Sequence, residues 1–271
     1  MADSALSNAA CGPYVLRELI SVGATAEVYR ASHRDDSNRS YAVKVIKAER
    51  LAETALKIGL REEYGLLQRL DHLSLPRAWR LGEVAGRPAL VMGYFAGRTV
   101  AHLMTKRELT FPVAVLLGLV EAVSYLHKHQ VVHNDLKPEN VVIAPEGRLG
   151  LVDFGSARDD AHTTFIQRMF RRRPSTIFAT PTYAAPEVLA GERPKIVSDV
   201  FSLAVLAHLL LVGSPPWSPN SRPAVPPSLR QRAPKVDPVV AKAIDRCLST
   251  DPAMRLPDGE HLLAALRSLR P

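Results

Sequence analysis

Residues 14–19, 27–32 and 41–47 alternate apolar and polar positions or cluster β-branched side chains. Gly23 and the polar stretch Asp35-Asp36-Ser37-Asn38 separate these runs, a pattern that predicts three antiparallel strands joined by turns. From Ala48 to Leu70 the chain turns to Ala, Leu, Glu, Lys and Arg with apolar residues at helical spacing, which predicts one long helix ending before His72 and Pro76. Strand character returns over 87–94. Beyond Gly97 helical periodicity dominates, at 100–106, 111–129, 198–212, 238–249 and 261–269. Short β-branched runs at 131–132, 141–143 and 149–152 interrupt it. The expected fold class is α+β: a small antiparallel β-sheet lobe with one long helix, then a larger, mainly helical lobe.

Composition adds bounds. A chain of 271 residues has material for one large domain or two packed lobes, and 46% hydrophobic with 23% charged residues is ordinary globular usage, which excludes an extended disordered class. The longest apolar stretch, 200–212, is broken by Ser202 and His208 and is too short to span a bilayer, so it reads as a buried helix. Residues 1–10 include Asp3 and lack the basic start and apolar core of a secretory signal. Cys11 and Cys247 are the only cysteines, without C-x-x-C spacing, so neither a disulfide framework nor a zinc site is expected and a reducing, cytoplasmic location fits.

The run Val132-His133-Asn134-Asp135-Leu136-Lys137-Pro138-Glu139-Asn140, followed thirteen residues later by Asp153-Phe154-Gly155, changes the picture. Its order resembles the H-R-D-L-x-x-x-N loop and D-F-G triplet of protein kinases, and both motifs stand beside β-branched runs, where loops carry chemistry. The loose transition state of phosphoryl transfer leaves a protein mainly positioning and charge neutralisation to supply. The resemblance therefore gives Asp135 the proton of the attacking hydroxyl, Lys137 the charge on the moving phosphoryl group, and Asn140 and Asp153 the metal, through hard oxygen ligands.

The likeness continues in order along almost the whole chain. Ser21-Val22-Gly23-Ala24-Thr25-Ala26-Glu27-Val28 stands where the family has its glycine-rich loop, with Ser21 and Ala26 replacing the outer glycines. Ala42-Val43-Lys44 resembles the end of the V-A-I-K strand, so Lys44 would meet the nucleotide phosphates, paired with Glu63 in preference to its neighbour Glu62. Leu90-Val91-Met92-Gly93-Tyr94-Phe95 is similar to the strand entering the hinge, with Met92 as gatekeeper and the Gly93 and Phe95 backbone facing adenine. Ile20, Val28 and Ala42 would complete the nucleotide site. Thr180-Pro181-Thr182-Tyr183-Ala184-Ala185-Pro186-Glu187 resembles the segment ending in A-P-E, with Thr180 placed to bond Asp135 and Lys137. Ser198-Asp199-Val200-Phe201-Ser202 resembles the start of the central buried helix, and Arg255 falls where the family partners Glu187.

The chain is thus identified as resembling the eukaryotic-like (Hanks-type) serine/threonine protein kinases, in a compact form similar to bacterial or phage members. That resemblance implies a bilobal kinase domain over 14–271, split as 14–93 and 94–271 after an extension over 1–13. It also implies ATP with Mg2+, Mn2+ substituting, and protein acceptors with Ser or Thr hydroxyls, the chain itself included. The alternatives are a pseudokinase acting as a nucleotide-binding or scaffold module, which the reduced glycine loop motivates, and a small-molecule phosphotransferase, against which the Ala185-Pro186-Glu187 segment speaks. The formal charge of +8 suits a polyanionic nucleotide and acidic peptides; no nucleic-acid motif is present, and neither nucleic acid nor membrane is an expected partner.

Three further expectations concern regulation and docking. Asn134 replaces the arginine that pairs with a phosphorylated activation loop in many kinases, so unphosphorylated protein is expected to be competent. Thr163, Thr164, Ser175 and Thr176 are candidate autophosphorylation sites, and Arg168, Arg171, Arg172 and Arg173 are candidate anion binders. Prolines 215, 216, 219, 223, 226, 227 and 234 predict an irregular or strongly shortened element where many kinases have a docking helix.

Overall fold

The computed structural model describes residues 6–159, 181–218, 221–223 and 225–269, divided into two compact units, 1–97 and 98–271. The first unit is built on a six-stranded antiparallel sheet in the order β1-β2-β3-β4-β6-β5. Its strands are β1 (Ala10–Cys11), β2 (Tyr14–Val22), β3 (Ala26–His33), β4 (Asp36–Ile46), β5 (Ala78–Val84) and β6 (Arg87–Gly93). One face buries Leu16, Tyr29, Ala31, Tyr41, Val43, Val45, Ala89 and Val91, with Leu6 and Cys11 packed onto them. Helix α1 (Thr54–Arg69) packs against β5 and β6 through a stripe of Leu60, Glu63, Leu66 and Leu67.

The structure departs from the pattern reading at several places. The expected helix over 48–70 is a 3₁₀ turn at Ala48–Arg50 followed by α1, because Glu53 takes an extended conformation and breaks the run. The supposed turn at 35–38 is mostly strand: the reversal is confined to Arg34 and Asp35, and β4 begins at Asp36. Residues 10–11, ahead of the expected domain start, pair with Val15 and Tyr14.

The second unit is mainly helical: α2 (Val100–Thr105), α3 (Pro112–Lys128), α4 (Pro186–Leu189), α5 (Ile196–Val212), α6 (Leu229–Arg232), α7 (Pro238–Cys247) and α8 (Gly259–Ala265). Short strands β7 (Arg98–Thr99), β9 (Val141–Ile143) and β10 (Leu149–Leu151) form one small sheet, and β8 (Val131–Val132) pairs with β11 (Arg158–Asp159). Helix α5 is buried nearly all round and ends at Gly213, whose φ of 88° is the left-handed cap that lets its N–H bond Leu209 O. No helix covers the described residues between Gly213 and Ser228, as the prolines predicted, and the element that follows before Pro234 is the four-residue α6. Among the described residues no helix is long and apolar enough to cross a membrane.

Candidate active site

In the first unit the strand register gathers most of the expected nucleotide residues. Ser21 pairs with Val28, Val28 with Lys44, Ala42 with Met92, and Ala26 with Ile46. Directly opposed residues and residues two apart share a face, so Ser21, Ala26, Val28, Ala42, Lys44 and Met92 lie on one face of the sheet, opposite the packed core. Ile20, 44% exposed, falls in the register shift between Leu19 and Ser21. Gly23 closes the β2–β3 turn, its N–H donating to Ala26 O at 2.9 Å. Ala26 is a ladder residue, so its extended backbone never needs the positive φ that would penalise alanine. Lys44 Nζ meets both carboxylate oxygens of Glu63, at 3.0 and 2.8 Å, and Glu63 is only 3% exposed. Gly93 N–H donates to Arg77 O, so the group it can offer a base is its carbonyl, and Phe95 is buried beyond the strand.

In the second unit the loop after β8 is held from below by a buried carboxylate. Asp199, 1% exposed, accepts the His133 N–H at 2.7 Å on Oδ2 and the Asn134 N–H at 2.8 Å on Oδ1. The Gly259 N–H donates to His127 Nδ1 at 2.9 Å, so the His127 proton sits on Nε2 and is donated to Asp199 Oδ2 at 3.2 Å. A Cβ on Gly259 would stand 2.9 Å from Ser124 backbone atoms, so this approach of α8 to α3 requires glycine.

His133 is fully buried, edge-on to Phe154 at 4.9 Å, and burial pushes its imidazole pKa down. Its neutral ring accepts the Asp135 N–H on Nδ1. Asn134 has φ of 66°, a left-handed conformation that asparagine tolerates better than most residues. The loop therefore turns sharply and presents Asp135 beyond it.

Around Asp135 the expected catalytic groups converge. Lys137 Nζ lies 2.6 Å from Asp135 Oδ2, and Asn140 Nδ2 donates to Asp135 O at 2.8 Å and to Oδ2 at 3.0 Å. With both amide hydrogens so used, Asn140 Oδ1 is the atom left to face a cation. Val152 N–H bonds Asn140 O at 2.9 Å, tying the strand that leads into Asp153 to the same loop. Asp153 itself has φ of 63°, a strained setting of the kind found at functional sites.

A sequence profile of the protein kinase domain matches residues 14–263. The chain belongs to the protein kinase domain family. Similar curated proteins include the probable serine/threonine-protein kinase SCO3848 of Streptomyces coelicolor, 29% identical over 268 residues, covering 93% of this chain and 39% of the relative. PknB of Mycolicibacterium smegmatis is 29% identical over 251 residues, with 85% and 39% covered. The chain thus spans about two fifths of the length of these relatives. The PknI kinase domain of Mycobacterium tuberculosis shares the fold, with a TM-score of 0.75 at 24% identity over 97% of this chain and 99% of that one.

Kinase domains use ATP and in general a divalent metal. The donors here fit such an ion: an amide oxygen from Asn140 and a carboxylate from Asp153 are hard ligands, few enough to suit a metal that keeps water and phosphate oxygens in its shell.

Two features of this kinase domain lie in the region before and after α4. Glu187 and Arg255 form a buried bidentate pair at 2.8 and 2.7 Å, with Ser198 Oγ donating to Glu187 at 2.7 Å. Burial alone would raise the Glu187 carboxyl; the Arg255 and Ser198 hydrogen bonds outweigh it and hold the pKa below its ordinary value. Just upstream, three successive carbonyls are each clasped by a side chain: Thr182 O by Trp217 Nε1 at 3.1 Å, Tyr183 O by Ser202 Oγ at 2.8 Å, and Ala184 O by Arg222 Nη1 at 2.9 Å. Arg222 lies over Trp217 at 4.4 Å and Phe201 at 4.6 Å, and burial pushes its pKa down to about 10.

Thr180, the phosphorylation candidates Thr163, Thr164, Ser175 and Thr176, and Arg168 and Arg171 to Arg173 lie outside the described residues. Asp199, His127, Trp217 and Arg222 were not singled out as functional from sequence. Asp199 did leave a signal, since a carboxylate inside the apolar run 196–212 has to find buried donors.

Proposed function

We propose that this kinase domain transfers the γ-phosphoryl group of ATP to serine and threonine hydroxyls of proteins, the chain itself included. The observation that carries the reading is the convergence of Lys137 and Asn140 on Asp135, within 2.6 and 3.0 Å, on a loop whose backbone is bonded to buried Asp199. Asp135 is assigned the acceptor hydroxyl: its carboxylate orients the O–H and takes the proton as the phosphorus–oxygen bond forms. Lys137, already beside that carboxylate, supplies positive charge to the transferring group. Lys44, fixed by Glu63, is assigned the α- and β-phosphates. Asn140 and Asp153 would hold Mg2+, with Mn2+ as a substitute, and the ion supplies charge neutralisation on the phosphate oxygens. Thr180 is assigned to bond Asp135 and Lys137. The intact set Lys44, Glu63, Asp135, Lys137, Asn140 and Asp153 speaks against a pseudokinase without turnover.

The test is direct. Incubation with γ-labelled ATP, Mg2+ and basic or acidic protein acceptors, followed by phosphoamino-acid analysis, is expected to yield phosphoserine and phosphothreonine. Label on tyrosine alone, or on a small metabolite and no protein, would contradict the assignment.

A further inference from the structure

Two arginines of the first unit crowd one aromatic cluster on the sheet face opposite Lys44, and a third adjoins it beside Gly12 and Cys11. Arg39 lies 4.6 Å from the Trp79 ring centroid and 5.5 Å from that of Tyr41, and Arg77 lies 5.4 Å from the same Trp79 centroid. Those two cations are therefore within about 10 Å of each other, a separation comparable to the screening length at 0.1 M salt. Arg80 is the third: a Cβ on Gly12 would stand 2.8 Å from its Nε, and the φ of +60° at Gly12 shapes that seat. Burial raises the Tyr14 phenol pKa while Arg80 and Arg39 pull it back, so both cations bear on that ring as well.

The rings beneath are a fixed platform. Tyr14 and Tyr41 meet edge-on at 4.8 Å, Tyr41 and Trp79 at 5.9 Å. Among the described residues no carboxylate lies within ion-pair distance of Arg39, Arg77 or Arg80, whereas Arg87 pairs with Glu27 and Arg255 with Glu187. The nearby acids Asp35 and Asp36 do not pair with them: the Asp35 N–H donates to His33 Nδ1 at 3.2 Å with its carboxylate in solvent, and Asp36 accepts the Asn38 N–H.

Like charges gathered without a counter-charge favour an anion. We propose that Arg39, Arg77 and Arg80 form a docking surface for a phosphorylated segment of a partner polypeptide. A guanidinium stacked on a ring keeps its edge N–H groups outward, in the planar fork that meets phosphate oxygens two at a time. A phosphate dianion has enough acceptor oxygens to engage more than one such fork. The choice of a phosphorylated polypeptide rests on the kinase reading above, which makes that class of molecule. Single-stranded nucleic acid is a poorer fit, because Arg39 and Arg77, 4.6 and 5.4 Å from the Trp79 centroid, compete with a base for that ring. A lipid surface is poorer too, since Tyr14 and Tyr41 are buried, Trp79 is half-buried, and the patch has no apolar side chain of its own to insert.

Fluorescence anisotropy of a labelled phosphothreonine peptide, with ADP and magnesium saturating, tests this without turnover. Binding should be saturable, salt-sensitive, and weaker by about tenfold or more for the same peptide unphosphorylated and for R39Q/R77Q, as loss of charge-assisted hydrogen bonds implies. R39K/R77K keeps the charge and loses the fork; a clear loss of affinity there supports the surface even if the glutamine variant fails to fold. Equal affinity for both peptides, equal affinity in wild type and R39K/R77K, or binding to phosphatidylserine vesicles or single-stranded DNA but not to the peptide would each overturn it. Labelled phosphate transfer, measured in parallel, separates the two readings: absent docking with normal transfer removes this proposal alone.

Discussion

Replacing Asp199 by asparagine deletes one acceptor from the carboxylate that holds the loop before Asp135. Asp199 Oδ2 serves two donors, His133 N–H and His127 Nε2–H, while Oδ1 serves the Asn134 N–H alone. An amide has one oxygen, so the less costly orientation keeps it at the Oδ2 position and turns its NH2 toward Asn134. One charge-assisted hydrogen bond is then lost, about 1.5–3 kcal/mol, and a partly buried N–H is left facing another donor, toward the low end of about 1–3 kcal/mol. No longer burying a full charge offsets part of this, leaving a net loss of about 3 kcal/mol. At 2–4 °C per kcal/mol for a domain of this size, the Tm should fall by roughly 6–12 °C. The stranded donor immediately precedes Asp135, so kcat should drop while nucleotide affinity holds. Urea unfolding and initial rates on one purified sample read both effects; a stability loss below about 1 kcal/mol with full turnover would refute the reasoning.

His208 is fully buried in α5 and burial pushes its pKa down to about 4, so it is neutral in the fold but protonates near 6.5 when unfolded. Stability is undiminished above about pH 6.5 and falls as pH drops toward 4, by up to about 3 kcal/mol; denaturant midpoints of His208→Leu should lack that acid-side loss, and parallel pH profiles would contradict it. Arg222→Met releases Ala184 O and removes the cation from Trp217 and Phe201, so KM for a protein acceptor should rise about fivefold or more, an effect near 1 kcal/mol, with KM for ATP unchanged. An equal change in both constants would count against a role in shaping the segment before α4.

The candidate site was legible where it is contiguous. Residues 133–140 and 153–155 carry Asp135, Lys137, Asn140 and Asp153 within two short runs, and the family resemblance pointed to Glu63 over Glu62. What supports them was not legible, because its partners are far apart in sequence: Asp199 reaches back 66 residues to His133, and Gly259 reaches 132 residues to His127. No local pattern encodes such contacts. Strand β5 went unread because Ala78-Trp79-Arg80-Leu81-Gly82-Glu83-Val84 mixes polar residues and a glycine, and only pairing with β6 and packing of α1 make it a strand. The clasp on Thr182, Tyr183 and Ala184 was hidden for another reason: Trp217 and Arg222 lie in a proline-rich stretch whose sequence announces irregular backbone but not where its side chains go.

The central claim is that Asp135 is the group on which phosphotransfer turns. Initial rates of labelled phosphate transfer for wild type and Asp135→Ala, alongside the Kd of each for ATP with magnesium, test it most directly. A fall of roughly 10²–10⁴-fold in kcat with nearly unchanged Kd is the predicted result. Full turnover by Asp135→Ala on the same acceptor would contradict the account.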